Sequence, residues 1–92
     1  MKRVKIIVSG NVQGVGYRHA ARNVAEEIGV YGYVMNLYNG DVELVVEGED
    51  SAVARMILWS NQGPYGAEVS DQKIEEQSYQ GEFQDFTVKH SW

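Results

Sequence analysis

The chain of 92 residues contains no cysteine, a single proline and only two histidines. Without a thiol there is no disulfide, no cysteine nucleophile, and no zinc ribbon or knuckle. The two histidines, His19 and His90, stand near opposite ends of the chain. That spacing argues against a His-rich metal site. No apolar run approaches the roughly 18 residues of a membrane helix. The first such run, Ile6-Ile7-Val8, is also too short for the apolar stretch of a secretion signal. The expectation is a cytoplasmic chain with no membrane partner, folded as a single domain over residues 1–92.

Acids are missing from one part of the sequence. Residues 1–25 hold Lys2, Arg3, Lys5, Arg18 and Arg22 and no carboxylate, whereas residues 26–92 hold Arg55, Lys73 and Lys89 against all thirteen acids. The net charge of −5 suits a nucleic-acid binder poorly, because the phosphate backbone is gripped by clustered Lys and Arg. A small anion held locally by the first 25 residues is compatible with it.

Periodicity supplies the elements. Residues 3–9 alternate, with Val4, Ile6 and Val8 on one face, and predict a strand. Residues 10–16 (GNVQGVG) carry three glycines in seven and predict a loop of unusual backbone angles. Residues 18–28 place Ala21, Val24, Ala25 and Ile28 at helical spacing, and Gly29 stops that helix. Residues 30–38 are aromatic and β-branched and predict a second strand. Asn39-Gly40 is a hairpin signal, and 41–47 then alternate, with Val42, Leu44 and Val46 inward and Asp41, Glu43, Val45 and Glu47 outward. Asp50 or Ser51 caps a second helix with Ala52, Val53, Met56 and Ile57 on its buried stripe; Gly63-Pro64 ends it. Residues 67–76 predict a fourth strand in which Val69 and Ile74 differ in parity, which calls for a bulge or register change between them. A turn at 79–82 leads to a short last strand, 83–90, with Phe86 and Val88 inward.

The order β-α-β-β-α-β, with a possible fifth strand, is the ferredoxin-like arrangement: an α+β sandwich with two helices on one face of an antiparallel sheet of four to five strands. A right-handed crossover makes the first two strands parallel and fits the third between them. The ends of strands 1 and 2 then share one edge of the sheet. The glycine loop, the start of the first helix with its unpaired N–H groups, and Asn36 should therefore meet.

The loop Gly10 to Arg18 (GNVQGVGYR) fits neither familiar nucleotide motif. A Walker A loop ends in Gly-Lys-Ser/Thr, and this one ends in Gly16-Tyr17-Arg18. A dinucleotide fingerprint needs a third glycine where His19 stands. What is left is either an anion nest of successive N–H groups completed by an arginine fork, or a tight strand-to-helix turn with a surface arginine.

The run from Gly10 to Arg18, then Gly32-Tyr33-Val34-Met35-Asn36-Leu37 with Asn39-Gly40-Asp41-Val42-Glu43 and Glu47-Gly48, then Gly63-Pro64 with Ala67 and Val69, resembles the acylphosphatase family over the whole chain. The resemblance implies an enzyme that hydrolyses carboxyl-phosphate anhydrides to carboxylate and phosphate, with no metal and no cofactor. It implies that the phosphate sits on backbone N–H groups of Gln13, Gly14, Val15, Gly16, Tyr17 and Arg18. It makes Arg18 the phosphate anchor and Asn36 the residue that positions the attacking water. The family often carries basic residues where Asn11 and Met35 stand here, so Met35 removes a positive charge expected beside the site. The implied partner is a small-molecule acyl phosphate, held in an exposed cradle with broad tolerance for the acyl group. A monomer is the default expectation, unless an exposed edge strand pairs.

Elementary chemistry agrees with that division of labour. The carboxylate leaving group has an ordinary pKa of about 4, so it can depart unprotonated and a general acid is dispensable. What the protein must supply is grip and charge stabilisation on the phosphoryl group. Arg18 is always protonated, and a carboxamide at Asn36 can accept from a water.

Other residues read as surface or core. His19 reads as a surface side chain and His90 receives no role. Glu26, Glu27, Glu47, Glu49, Asp50, Glu75 and Glu76 read as a solvated surface. Trp59 reads as a cover over the core, and Trp92 as a terminal residue. Two rival functions use the same layout. An RNA-binding module would stack bases on Tyr31, Tyr33 and Tyr38, but the aromatics fall on the second strand and Tyr31 occupies the place of the opening Lys/Arg. A non-catalytic anion-binding domain would keep the loop without turnover.

Overall fold

The computed structural model describes residues 1–90. Its elements run β1 (Lys2–Asn11), α1 (Tyr17–Ile28), β2 (Tyr31–Asn36), β3 (Val42–Gly48), α2 (Asp50–Gln62), β4 (Glu68–Gln77) and β5 (Phe86–Lys89). The strands form one sheet in the order β4-β1-β3-β2-β5. Strand β3 lies antiparallel between β1 and β2, as the crossover rule requires. Strand β5 adds in parallel beside β2, so the sheet is mixed rather than wholly antiparallel. The cause is the return path: the chain leaves β4 at one edge and comes back at the other, entering in the direction of β2.

Both helices cover one face. The inward residues of β1 and β3 stand opposite each other, Val4 to Val46, Ile6 to Leu44 and Val8 to Val42. They pack under Ala21 and Ala25 of α1 and Val53 and Met56 of α2, all fully buried. Each such aliphatic side chain contributes roughly 1.5–3 kcal/mol over leaving it in water. Trp59 packs against this cluster, as its position suggests, with its ring 5.2 Å from that of Tyr17. The bulge in β4 is at Ser70: Ser9 faces Asp71 and Gly10 faces Val69, which brings Val69 and Ile74 to the same side. Glu49, one residue earlier than expected, takes the N-cap position of α2.

The opposite face departs most from the sequence reading. Every residue of β3 is buried, including the outward set: Val45 is 2% exposed, Glu43 9% and Glu47 2%. Residues 78–85 do not continue a strand. They cross the helix-free face as a strap. Glu47 accepts backbone N–H groups from Gln80 (2.9 Å), Gly81 (3.1 Å) and Glu82 (3.2 Å), and a guanidinium N–H from Arg3 (3.3 Å). Arg3 also pairs with Glu82 and lies over the Phe83 ring at 5.2 Å. Burial alone would raise the Glu47 pKa; the N–H donors of the strap and the Arg3 guanidinium overcome this and hold it below the usual carboxylate range. Tyr33, packed edge-on to Phe83, donates to Glu43 at 2.8 Å. Burial, reinforced by that bond to a carboxylate, pushes its phenol up to about 12. Trp92 lies outside the described residues.

Candidate active site

The site is built where β1 ends. Gly14 (φ +75°) and Gly16 (φ +77°) both take left-handed angles. A Cβ at either would meet nothing within 4 Å, so the backbone conformation, not space, calls for glycine there. Gly16 is the N-cap of α1, and the first helical bond runs from Ala20 N–H to the Gly16 carbonyl at 3.1 Å. The amides of Tyr17, Arg18 and His19 precede that bond and have no helical acceptor. They stand at the positive end of the helix dipole.

Two side chains hold this loop. Gln13 donates from Nε2 to the carbonyls of Leu37 (2.8 Å) and Asp41 (2.9 Å), which fastens the loop to the β2–β3 hairpin. Tyr17, 1% exposed, donates from its hydroxyl to the Ser60 carbonyl at 2.7 Å and pins the start of α1 to α2. Burial pushes that phenol up, so it is a permanent donor.

A cavity of about 120 Å³ opens between loop and helix, lined by Val12, Gly14, Gly16, Tyr17, Arg18, His19 and Asn36. Among the residues expected at the site, the structure gathers Gly14, Gly16, Tyr17, Arg18 and Asn36. Gln13 and Val15 do not line the cavity: the Gln13 side chain is engaged by the hairpin, and Val15 packs on the core. Asn36 is the last residue of β2. It pairs with Val42 on the helix-bearing face, and its Oδ1 is buried. Met35 pairs with Glu43 and therefore faces the other side of the sheet from Asn36, not the cavity.

Sequence reasoning left His90 without a role. In the structure its Nδ1 lies 3.4 Å from Arg18 Nη1, which brings the end of β5 to the rim of the cavity. The two residues are 72 positions apart, and no motif links them. Only the parallel placement of β5 beside β2 makes them neighbours.

A glycine loop, a helix N-terminus, a guanidinium and a carboxamide surround one anion-sized cavity on a ferredoxin-like sandwich, which places the chain in the class of small α+β proteins. Comparison with known proteins narrows that class. The Acylphosphatase family model matches residues 4–88. An acylphosphatase from Acaryochloris marina is 46% identical over 85 residues, covering 92% of this chain and 90% of that one. Among solved structures, an acylphosphatase from Coxiella burnetii superposes with a TM-score of 0.90 at 40% identity, covering 96% of this chain and 92% of the other. The Bacillus subtilis acylphosphatase superposes with a TM-score of 0.92 at 29% identity, covering 97% and 99%. The chain belongs to the acylphosphatase family, a family of hydrolases that act on acyl phosphates.

Proposed function

We propose that this acylphosphatase works by a metal-independent attack of water on phosphorus, with the phosphoryl group held by the Gln13–Arg18 loop and the water aimed by Asn36. The observation that carries this reading is the convergence of Gly14, Gly16, Arg18 and Asn36 on one cavity of about 120 Å³. In this reading the loop amides and the Arg18 fork bind the phosphoryl oxygens and take up the charge that develops as the anhydride bond breaks. The carboxylate departs without a proton. The Asn36 carboxamide accepts one O–H of the water and orients its lone pair toward phosphorus. A phosphoryl oxygen takes the water's other proton, so no protein group needs to titrate. The rate on a neutral substrate tail is therefore flat between about pH 5 and 8.

The 92 residues act here as one unit, a cytoplasmic monomer on small soluble acyl phosphates without a nucleic-acid partner. The strap over Arg3 and Tyr33 supports the enzyme against an RNA-binding module, since it covers the face on which such a module stacks bases. The test is phosphate release from acetyl and benzoyl phosphate in EDTA. Turnover in the wild type supports the enzyme. Phosphate binding without turnover supports an anion-binding domain, and salt-sensitive oligonucleotide binding without turnover supports the RNA module.

A further inference from the structure

The cavity that takes the phosphoryl group is small for anything beyond a tetrahedral oxyanion, so the acyl group must lie outside it. An open groove of about 510 Å³ adjoins it between α1 and β5. His19 belongs to the walls of both, and the Arg18–His90 contact joins the rim of one to the end of the other.

Charge along this groove is ordered. Helix α1 starts at the cavity, and β5 ends there. His19 and His90 therefore flank the near end, Arg22 follows, and Glu26 and Asp85 occupy the far end. One helical turn, about 6 Å of rise over four residues, separates Arg18 from Arg22, and the same again separates Arg22 from Glu26. Arg22 is partly buried. The ion pairs among the described residues engage the N-terminus, Arg3 and Lys5, so Arg22 has no carboxylate partner there. Arg22 lines the groove, so its guanidinium is within reach of an anion that enters it.

We propose that this groove is the acyl-group subsite and that Arg22 gives it a preference for acyl phosphates bearing a second carboxylate a few carbons away, that is, monoacyl phosphates of short dicarboxylic acids. The proposal rests on the phosphate placement given above. A tail of two methylenes puts the second carboxylate roughly one turn from the phosphoryl group, at Arg22, where the imidazoles of His19 and His90 add N–H donors in either protonation state. A longer tail carries its carboxylate past Arg22 to Glu26 and Asp85, where like charges repel it. Attraction at one position and repulsion at the next make the groove a ruler for tail length.

The experiment compares kcat/KM for acetyl, succinyl and suberyl monophosphate in the wild type, Arg22→Gln and Glu26→Gln. Glutamine has nearly the helix propensity of arginine and of glutamate, and circular dichroism checks the fold of each variant. The succinyl-to-acetyl ratio in the wild type is expected at roughly twofold to fivefold in low salt, the range for a partly exposed charge pair, falling as salt is raised. In Arg22→Gln it falls to about one. In Glu26→Gln the suberyl-to-succinyl ratio rises. A wild-type ratio near one, or a ratio that Arg22→Gln leaves in place, overturns the subsite. Failure to hydrolyse any of the three acyl phosphates refutes instead the reading of the phosphate site on which it rests.

Discussion

Arg18 and Asn36 meet at one cavity, and the proposed mechanism gives them separable tasks that separate substitutions distinguish. Arg18 grips charge. Arg18→Ala should lower kcat/KM by ~10²–10⁴-fold, the scale for losing an oriented donor at a charge that grows in the transition state; retention of most activity would remove it from that role. In the proposed mechanism Asn36 handles the water, not the phosphate. Asn36→Ala should depress kcat while the inhibition constant of inorganic phosphate changes little, and near-wild-type turnover would refute the assignment. That both residues would meet was legible in the sequence, since Arg18 closes the glycine loop and Asn36 ends a strand just before an Asn-Gly turn, whereas their separate roles come from the family resemblance. Gln13 was legible only in part. Its place in the loop is sequential, but whether its side chain faces the cavity or the hairpin depends on the carbonyls of Leu37 and Asp41, which come from elsewhere in the chain.

Two elements show where local pattern suffices and where it does not. The loop and α1 follow from it. Gly16 at φ +77° needs no space around its Cα, so Gly16→Ala should cost only the strain of a left-handed alanine, about 1–2 kcal/mol, measured by denaturant unfolding. A much larger loss would point to a clash that the structure does not contain. The strap is the contrary case. Val42, Leu44 and Val46 alternate with Glu43, Val45 and Glu47, two acids around one valine, a pattern that ordinarily marks a strand with one face in water. Residues 78–85 cover that face and supply three amides to the Glu47 carboxylate, and neither fact leaves a trace in the spacing of β3. Glu47→Gln faces a carboxamide NH₂ toward those donors and leaves Arg3 half-paired. It should destabilise the fold by roughly 3–5 kcal/mol, the range for breaking a buried pair from one side, read as a fall in the urea midpoint. An unchanged midpoint would mean that the strap is held by Phe83 packing and the Arg3–Glu82 pair without Glu47.

At the scale of the whole molecule, sheet order was legible and sheet closure was not. A right-handed crossover and a tight hairpin leave one arrangement for β1, β2 and β3. Nothing local states that β5 pairs with β2, because that pairing needs the strap to carry the chain across the sheet. The same strap sets the response to acid. The folded-state pKa of Glu47 lies below its unfolded value, so its contribution is complete above the unfolded pKa of about 4.3 and is lost as pH falls through the lower folded value. Unfolding free energy should therefore decline on the acid side of about pH 5, and the decline should be shallower in Glu47→Gln. Equal slopes in the two proteins would assign the acid limb to other carboxylates.

The central claim is geometric, and a crystal structure with inorganic phosphate bound measures it most directly. The account predicts a phosphate in the loop between Gly14 and Gly16, within hydrogen-bond distance of the loop amides and the Arg18 guanidinium, with an ordered water between the Asn36 carboxamide and phosphorus. A loop left empty at saturating phosphate, with the Asn36 side chain turned away from it, would contradict the account.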